Sequence, residues 1–369
     1  METNNSLDVV EHQKKEENKA QEEKESHDAN IANGVNEGAL IALSAYGPQD
    51  KFMELGDLFD VKRVLVDRFQ VSYSEIPCIT KYLNKSTYQE IVFTVKRACD
   101  LINMVDFAIP NPENLSLNKI IKKISVEFCG QRMDIISTDD IETHIITNCA
   151  LFKRKINYIN GTTFVPLTIA PFHANNLCMP TTVKHHELCI RIELYDEIDM
   201  FNCKLYGNMY YLNKSNMYYL NKKECKDDMY DFVTVQNQHC GMQKMNVGIN
   251  SFKIHFNHPM YLIYFWGFDK KKVKNIKLTF MDKPYYDGPI EPLEHLKLSK
   301  GYDIEPVVIF FSHDVVGAQT KSSINFSKID ESNLIIETTQ QGEFPIYIVG
   351  LNMQVVRHHC GIVAMVYSK

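Results

Sequence analysis

Apolar and polar side chains alternate with a period of two along much of this chain, in short segments separated by turn residues. Successive side chains of a strand face opposite sides of a sheet, so this period predicts strands with one buried face. The clearest case runs from His186 to Leu194, where Leu188, Ile190, Ile192 and Leu194 alternate with Cys189, Arg191 and Glu193. Ile124, Val126 and Phe128 alternate with Ser125 and Glu127; Gly130-Gln131 then supplies a turn before a second apolar segment, 133–136, which predicts a β-hairpin. Pro166, Pro171 and Pro180 delimit short segments within 164–194. Further strands are expected at 252–256, 261–268, 274–281, 306–312, 333–338 and in a closing block, 344–367. Two stretches, 57–76 and 88–109, mix apolar and charged residues so that strand and helix are not separated, and the second has room for a short helix.

Residues 1–37 break this pattern. They are dominated by Glu, Lys, Gln and Asn and hold too few large apolar side chains to offset the entropy of ordering, which predicts a flexible charged arm. From Gly38 an apolar run begins and is halted at Gly47-Pro48, as a strand entering a turn would be. Residues 195–250 read as connection and loop. Within them Asn208-Met209-Tyr210-Tyr211-Leu212-Asn213-Lys214 recurs as Asn216-Met217-Tyr218-Tyr219-Leu220-Asn221-Lys222, a unit too short for a solenoid and best read as a slipped insertion without function. Many short strands without helical periodicity between them indicate an all-β sandwich or closed barrel. The expected division is an arm at 1–37, one β domain at 38–197 and a second at 198–369.

Composition sharpens this picture. The 19 Tyr and 20 Phe favour pleated, half-buried surfaces. A formal net charge of −6 argues against direct binding of nucleic acid. The N-terminus has no apolar signal region, and no stretch approaches the roughly 20 apolar residues of a spanning helix. The ten Cys are scattered without a CxxC pair, as expected of reduced thiols made in the cytosol, and the Asn-x-Ser/Thr triplets then read as chance.

The ordered motifs of the body resemble those of the double jelly-roll major capsid proteins of nucleocytoplasmic large DNA viruses, such as iridoviruses, mimiviruses and chloroviruses. Ala45-Tyr46-Gly47-Pro48-Gln49-Asp50 is similar to the segment that opens the first barrel in that family. The hairpin with Gly130, Gln131 and Asp134 resembles the family's Gly-Gly-Gln-x-Ile-Asp turn, with Cys129 in place of the first Gly. Pro166-Leu167, then Pro180, then His186-Glu187 follow the family's order. Segments 218–224 and 230–236 resemble two further motifs. In the second half, His258-Pro259 leading to Trp266 is similar to the family's His-Pro strand, and Ser323, Asn325, Phe326, Ser327, Ile329 and Asp330 follow its Ser-x-Asn-Phe-Ser-Arg-Ile-Asp motif.

The resemblance implies two tandem eight-stranded antiparallel jelly-roll barrels behind the flexible arm. It implies a non-enzymatic capsid protein without cofactor, forming homotrimers that tile an icosahedral virion shell. Partners would be further copies, minor capsid or penton proteins and, through the arm, an internal viral membrane. Synthesis would be in the host cytoplasm, late in infection, with assembly in a viral factory. The chain is short for the family, its second-half loops look trimmed, and a Trp after the first hairpin is absent, which keeps a minor capsid protein or a transient membrane-shaping scaffold as alternatives. A jelly-roll binding module or metal enzyme is the alternative of another class.

The residues offer little for that last class. His185-His186-Glu187 and His358-His359-Cys360 contain metal-binding types, but adjacent strand residues point to opposite faces and cannot chelate from one side. Asp139-Asp140 reads as an ordinary polar loop, and the Lys-rich run 269–277 as a solvated turn. The 322–330 motif is expected to shape a turn, with Phe326 and Ile329 plugging the core. Trp266, the only Trp, is expected to fill a core or the space between barrels.

Overall fold

The computed structural model describes residues 70–365, apart from 86, 97–98, 100, 129, 174–178, 181–186, 196–197, 212–229, 314–321 and 360–361. The arm, Tyr46, Gly47, Gln49, Asp50, His186 and segment 218–224 lie outside the described residues, as does the second copy of the duplicated unit.

In chain order the first half forms β1 (Gln70–Glu75), β2 (Cys78–Asn84), β3 (Gln89–Val95), β4 (Leu101–Pro110), β5 (Ile121–Phe128) and β6 (Gln131–Ile136). Helix α1 (Ile141–Leu151) follows, then β7 (Asn157–Ile159), β8 (Thr162–Pro166), β9 (Met179–Pro180), β10 (Leu188–Leu194) and β11 (Lys204–Tyr211). The second half forms β12 (Tyr230–Met245), β13 (Gly248–Lys253), β14 (Pro259–Trp266), β15 (Val273–Phe280) and β16 (Lys283–Gly288). After helix α2 (Glu291–Ser299) come β17 (Val307–Phe310), β18 (Ile324–Asn325), β19 (Ser332–Thr338), β20 (Phe344–His359) and β21 (Ile362–Met365).

Two antiparallel sheets face each other in each half. The first pair is ordered β1-β11-β4-β8-β7 and β2-β3-β10-β5-β6; the second is β12-β20-β14-β17 and β13-β19-β15-β16. Strip the additions β2, β7 and β9, and the first half has the same order as the second: β1, β11, β4, β8 match β12, β20, β14, β17, and β3, β10, β5, β6 match β13, β19, β15, β16. That order, in which first and last strands are neighbours, is the Greek-key wrapping of a jelly roll. Two eight-stranded barrels in tandem are therefore present, as expected.

Alternation explains the strands that carry it. In β10, Leu188, Ile190, Ile192 and Leu194 point into the first core. On the outer face Arg191 pairs with Glu127 at 2.8 Å and Glu90 at 3.2 Å, and Lys123 with Glu193 at 2.7 Å. Cross-strand pairs of this kind hold register at little energetic cost. The hairpin turns at Gly130, whose φ of 73° suits a residue without a Cβ.

Three expectations are corrected. The stretch 88–109 holds β3 and β4 and, among its described residues, no helix, because its β-branched and aromatic side chains pair within the two sheets. Residues 195–250 include β11, all of β12 and the start of β13, so they are more than connection. The domain boundary also moves: β11 pairs with both β1 and β4, which carries the first barrel through Tyr211 rather than to 197.

Candidate functional site at the seam between the barrels

The second barrel lays one face of its β12-β20-β14-β17 sheet against the first. β14 is buried along its whole length. Its alternate side chains Met260, Ile263 and Phe265 enter their own core, while Leu262, Tyr264 and Trp266 point out to a separate cluster with Leu151 and Phe152 of the first barrel. Tyr264, Trp266 and Tyr347 form a stacked aromatic row there, with ring centroids 5.8 and 5.1 Å apart. Gly267 closes the strand at φ 108°, where a Cβ would lie 2.3 Å from the Pro345 carbonyl oxygen.

Helix α1 supplies the other side of this seam. Asp140 caps it, accepting from Thr143 N, and accepts from Trp266 Nε1 at 2.8 Å across the seam and from Asn118 Nδ2 at 2.9 Å. Burial alone would raise Asp140, but these hydrogen bonds together hold its carboxyl below the ordinary value. Of the pair read from sequence as a plain polar loop, Asp140 is thus a helix cap and a bridge between barrels.

Deeper in, every polar contact crosses the seam or supports one that does. Asn148 Nδ2 donates to Asn237 Oδ1 at 2.9 Å and to His144 Nε2 at 3.1 Å. Tyr264 donates its hydroxyl proton to Asn148 Oδ1 at 3.0 Å, so His144 Nδ1 acts as donor to that hydroxyl at 3.2 Å. Asn237 donates from both its side chain and its backbone to Asp134, at 2.9 and 3.1 Å. Asp134 also accepts from Ala170 N at 2.9 Å. Gln236 Nε2 donates to the Met133 carbonyl at 2.7 Å, and His239 Nε2 lies 3.1 Å from the Ile135 carbonyl.

Burial pushes Asp134 up to about 7, even though four N–H donors, those of Ala170, Ile135 and Asn237, pull the other way. His173 lies 3.9 Å from Asp134, beyond hydrogen-bond reach, and burial drives it down to about 3. Burial also lowers His144, helped by the neighbouring His239 and His173. Burial thus favours the neutral form of both imidazoles, His144 and His173, as it does of the Asp134 carboxyl.

The other sequence motifs fall into turns and ties. Gln131 Oε1 accepts from Met365 N of the second barrel at 3.3 Å. Pro166 ends β8, Leu167 is buried in the first core, Pro180 lies in β9 and Glu187 is exposed just before β10. His258, at φ 69°, opens the turn before Pro259; its N–H donates to Ser327 Oγ at 2.8 Å, and its carbonyl accepts from Phe326 N at 3.0 Å. Asn325 Oδ1 accepts from Ser327 N at 3.1 Å, Phe326 is buried in the second core with Ile329 packed against it, and Ser323 and Asp330 flank this turn. Lys270, Lys274 and Lys277 of the basic run pair with Glu294, Glu337 and Asp287. Among the described residues no cluster of His, Cys, Asp or Glu is arranged to hold a metal, and no helix is long and apolar enough to cross a membrane.

Fold and seam together define a tandem double jelly roll. No protein-family model matches the sequence and no curated protein matches it; the likeness lies in three-dimensional structure. The chain is similar to a capsid chain of the PBCV-1 virus in a quasi-atomic model, with a TM-score of 0.64 and 13% identity over 82% of this chain and 97% of that one. It is similar to PBCV-1 VP54, fitted into a reconstruction of the virophage Sputnik, with a TM-score of 0.66 and 12% identity over the same shares of the two chains, 82% and 97%. The Faustovirus major capsid protein matches with a TM-score of 0.57 and 8% identity, over 87% of this chain and 98% of that one.

Proposed function

We propose that this chain is a structural capsid protein of a large DNA virus. It forms pseudo-hexagonal homotrimers that tile the virion shell, and it works without a reacting group or cofactor. The observation that carries this reading is the seam: two barrels of the same strand order are locked by buried hydrogen bonds into one rigid unit, which is what a repeating tile requires. The capsid proteins of similar fold support it. The turn and core motifs, including Asn325 and Phe326, keep each barrel in shape and take no part in chemistry.

Synthesis in the host cytoplasm, assembly in a viral factory, contacts with minor or penton proteins and an arm that reaches an internal membrane complete the proposal. Light scattering of the full chain after size exclusion, followed by negative-stain imaging of the same peak, tests it. A trimer of pseudo-hexagonal outline is expected; a monomer at every concentration overturns it and favours a minor shell role. Deleting residues 1–37 is expected to leave trimers intact and to prevent ordered shells.

A further inference from the structure

Helix α1 has an apolar side that neither the first core nor the seam uses. Ile141 and Ile145 enter the core, and His144 and Asn148 cross the seam. Ile146, by contrast, is 46% exposed, on the helix face that it shares with Glu142 and Ala150, each four residues away. This face lines a cleft of about 710 Å³, within the size range of small-molecule sites. Leu115 and Leu117, between β4 and β5, and Ile156, just before β7, supply further apolar lining. Gly301 and Asp303, which follow α2, line the cleft from the second barrel.

The charged lining is sorted along the helix. Glu142 lies in the first turn of α1, where its carboxylate accepts from Ser116 Oγ. Lys153, Arg154 and Lys155 follow the last turn, so the cations gather at the opposite end. Lys153 and Lys155 form no ion pair among the described residues, with Asp303 or any other carboxylate. Arg154 is only 8% exposed, and its guanidinium donates to Asp106 Oδ1 at 2.6 Å and to the Val105 carbonyl at 3.4 Å. Asp106 thus balances its charge, but these bonds use two of the five N–H donors of a guanidinium, and the others have no partner among the described residues. Buried donors of this kind call for an acceptor. The helix carbonyls that would repel an anion here are occupied, since Phe152, Lys153 and Arg154 donate their N–H groups to Asn148, Ala150 and Cys149.

We propose that this cleft binds a single-chain anionic amphiphile. Its carboxylate or phosphate head is held by Arg154, Lys153 and Lys155, and its alkyl chain lies along Ile156, Ile146 and Leu115. The head neutralises two unpaired ammoniums and accepts from the spare donors of Arg154, whose planar fork suits both kinds of head. The chain takes the exposed Ile146 side chain out of water. Because both barrels line the cleft, the bound molecule adds a tie between them. The site needs only one folded chain, so it stands or falls separately from the shell reading above.

Isothermal titration of the full chain with laurate, kept below its micellar concentration, tests the site. One laurate per chain is expected, displaced by dodecyl phosphate, and whichever of the two binds more tightly identifies the preferred head. Acetate, which lacks the chain, and dodecyltrimethylammonium, which reverses the charge, are each expected to bind about tenfold more weakly or worse. The double variant Lys153→Glu with Lys155→Glu, and separately Ile146→Glu, alter exposed positions; each is expected to lower laurate affinity about tenfold with an unchanged thermal melt. Absence of saturable binding overturns the proposal. So does equal binding of laurate and dodecyltrimethylammonium, which is adsorption without recognition of charge, and so do variants that bind like the wild type, which place the ligand elsewhere. Should a glutamate variant lose its melting transition, Lys153→Gln with Lys155→Gln decides: weaker laurate binding is expected, and unchanged affinity overturns the site.

Discussion

The interior of each barrel and the seam between them are both buried, but they are built from different chemistry. The first interior is an apolar cluster rich in aliphatic side chains, with Ile91, Ile124, Val126, Ile190 and Ile192 packed at 1% exposure or less. The seam buries Asp134, His144, Asn148, His173 and Asn237 just as completely. Apolar packing holds surfaces together without fixing how they slide, whereas a buried hydrogen bond that loses its partner carries the full desolvation penalty. Interiors made of alternation thus hold each barrel, while the polar seam sets one orientation of barrel on barrel.

Replacing the central acceptor is the sharpest way to break that contrast. Asp134→Ala strands the N–H groups of Ala170, Ile135 and Asn237, and is expected to cost about 3–5 kcal/mol. The chemical denaturation curve should then separate into two transitions, one for each barrel; a single unshifted transition would sink the idea that the network couples them. A core substitution is the matched control. Ile190→Ala, at 0% exposure, is expected to cost about 3 kcal/mol and to lower the first transition without uncoupling the barrels.

Acid supplies a milder probe. Asp134 is raised to about 7, so its contribution is complete below the ordinary Asp value of about 3.9 and is lost as pH rises toward 7. His173 and His144 are lowered, so theirs are complete above the ordinary His value of about 6.5 and are lost as pH falls. From about pH 4 to 6.5, two imidazoles oppose one carboxyl, and stability is expected to rise with pH. His173→Leu leaves one against one and should flatten that slope in melting-temperature profiles; an unchanged slope would remove His173 from the account.

Trp266→Phe is expected to have the smallest effect. It keeps an aromatic ring in the stacked row but loses the bond to Asp140, at a cost of about 1 kcal/mol by denaturant titration. A loss as large as that for Asp134→Ala would show that the aromatic row, and not the polar network, dominates the seam.

Much of the fold was legible because strands write themselves locally. The alternation in β10 and β5, the Gly130 turn and the Asn325-Phe326-Ser327 turn all depend on residues a few positions apart. The helices were missed: the inward positions of α1 are interleaved with the equally buried His144 and Asn148, so no clean apolar stripe marks it. The seam left one unread signal. Thr234, Gln236, Asn237 and Gln238 are a run of polar side chains in a strand, and all are buried. Such a run has no place on a core face, and it marks a strand whose partners lie in another domain.

The sequence by itself determined the strands of clear alternation, their inward faces, the turns and the division into two β domains, since each follows from periodicity and from short-range backbone chemistry. Only the tertiary structure decided the seam. Asp134 and Asn237, or His144 and Tyr264, are more than a hundred residues apart, and nothing in either neighbourhood specifies the other. It also decided that the aromatic row of Tyr264, Trp266 and Tyr347 is covered, because exposure belongs to the packed chain and to no single segment of it.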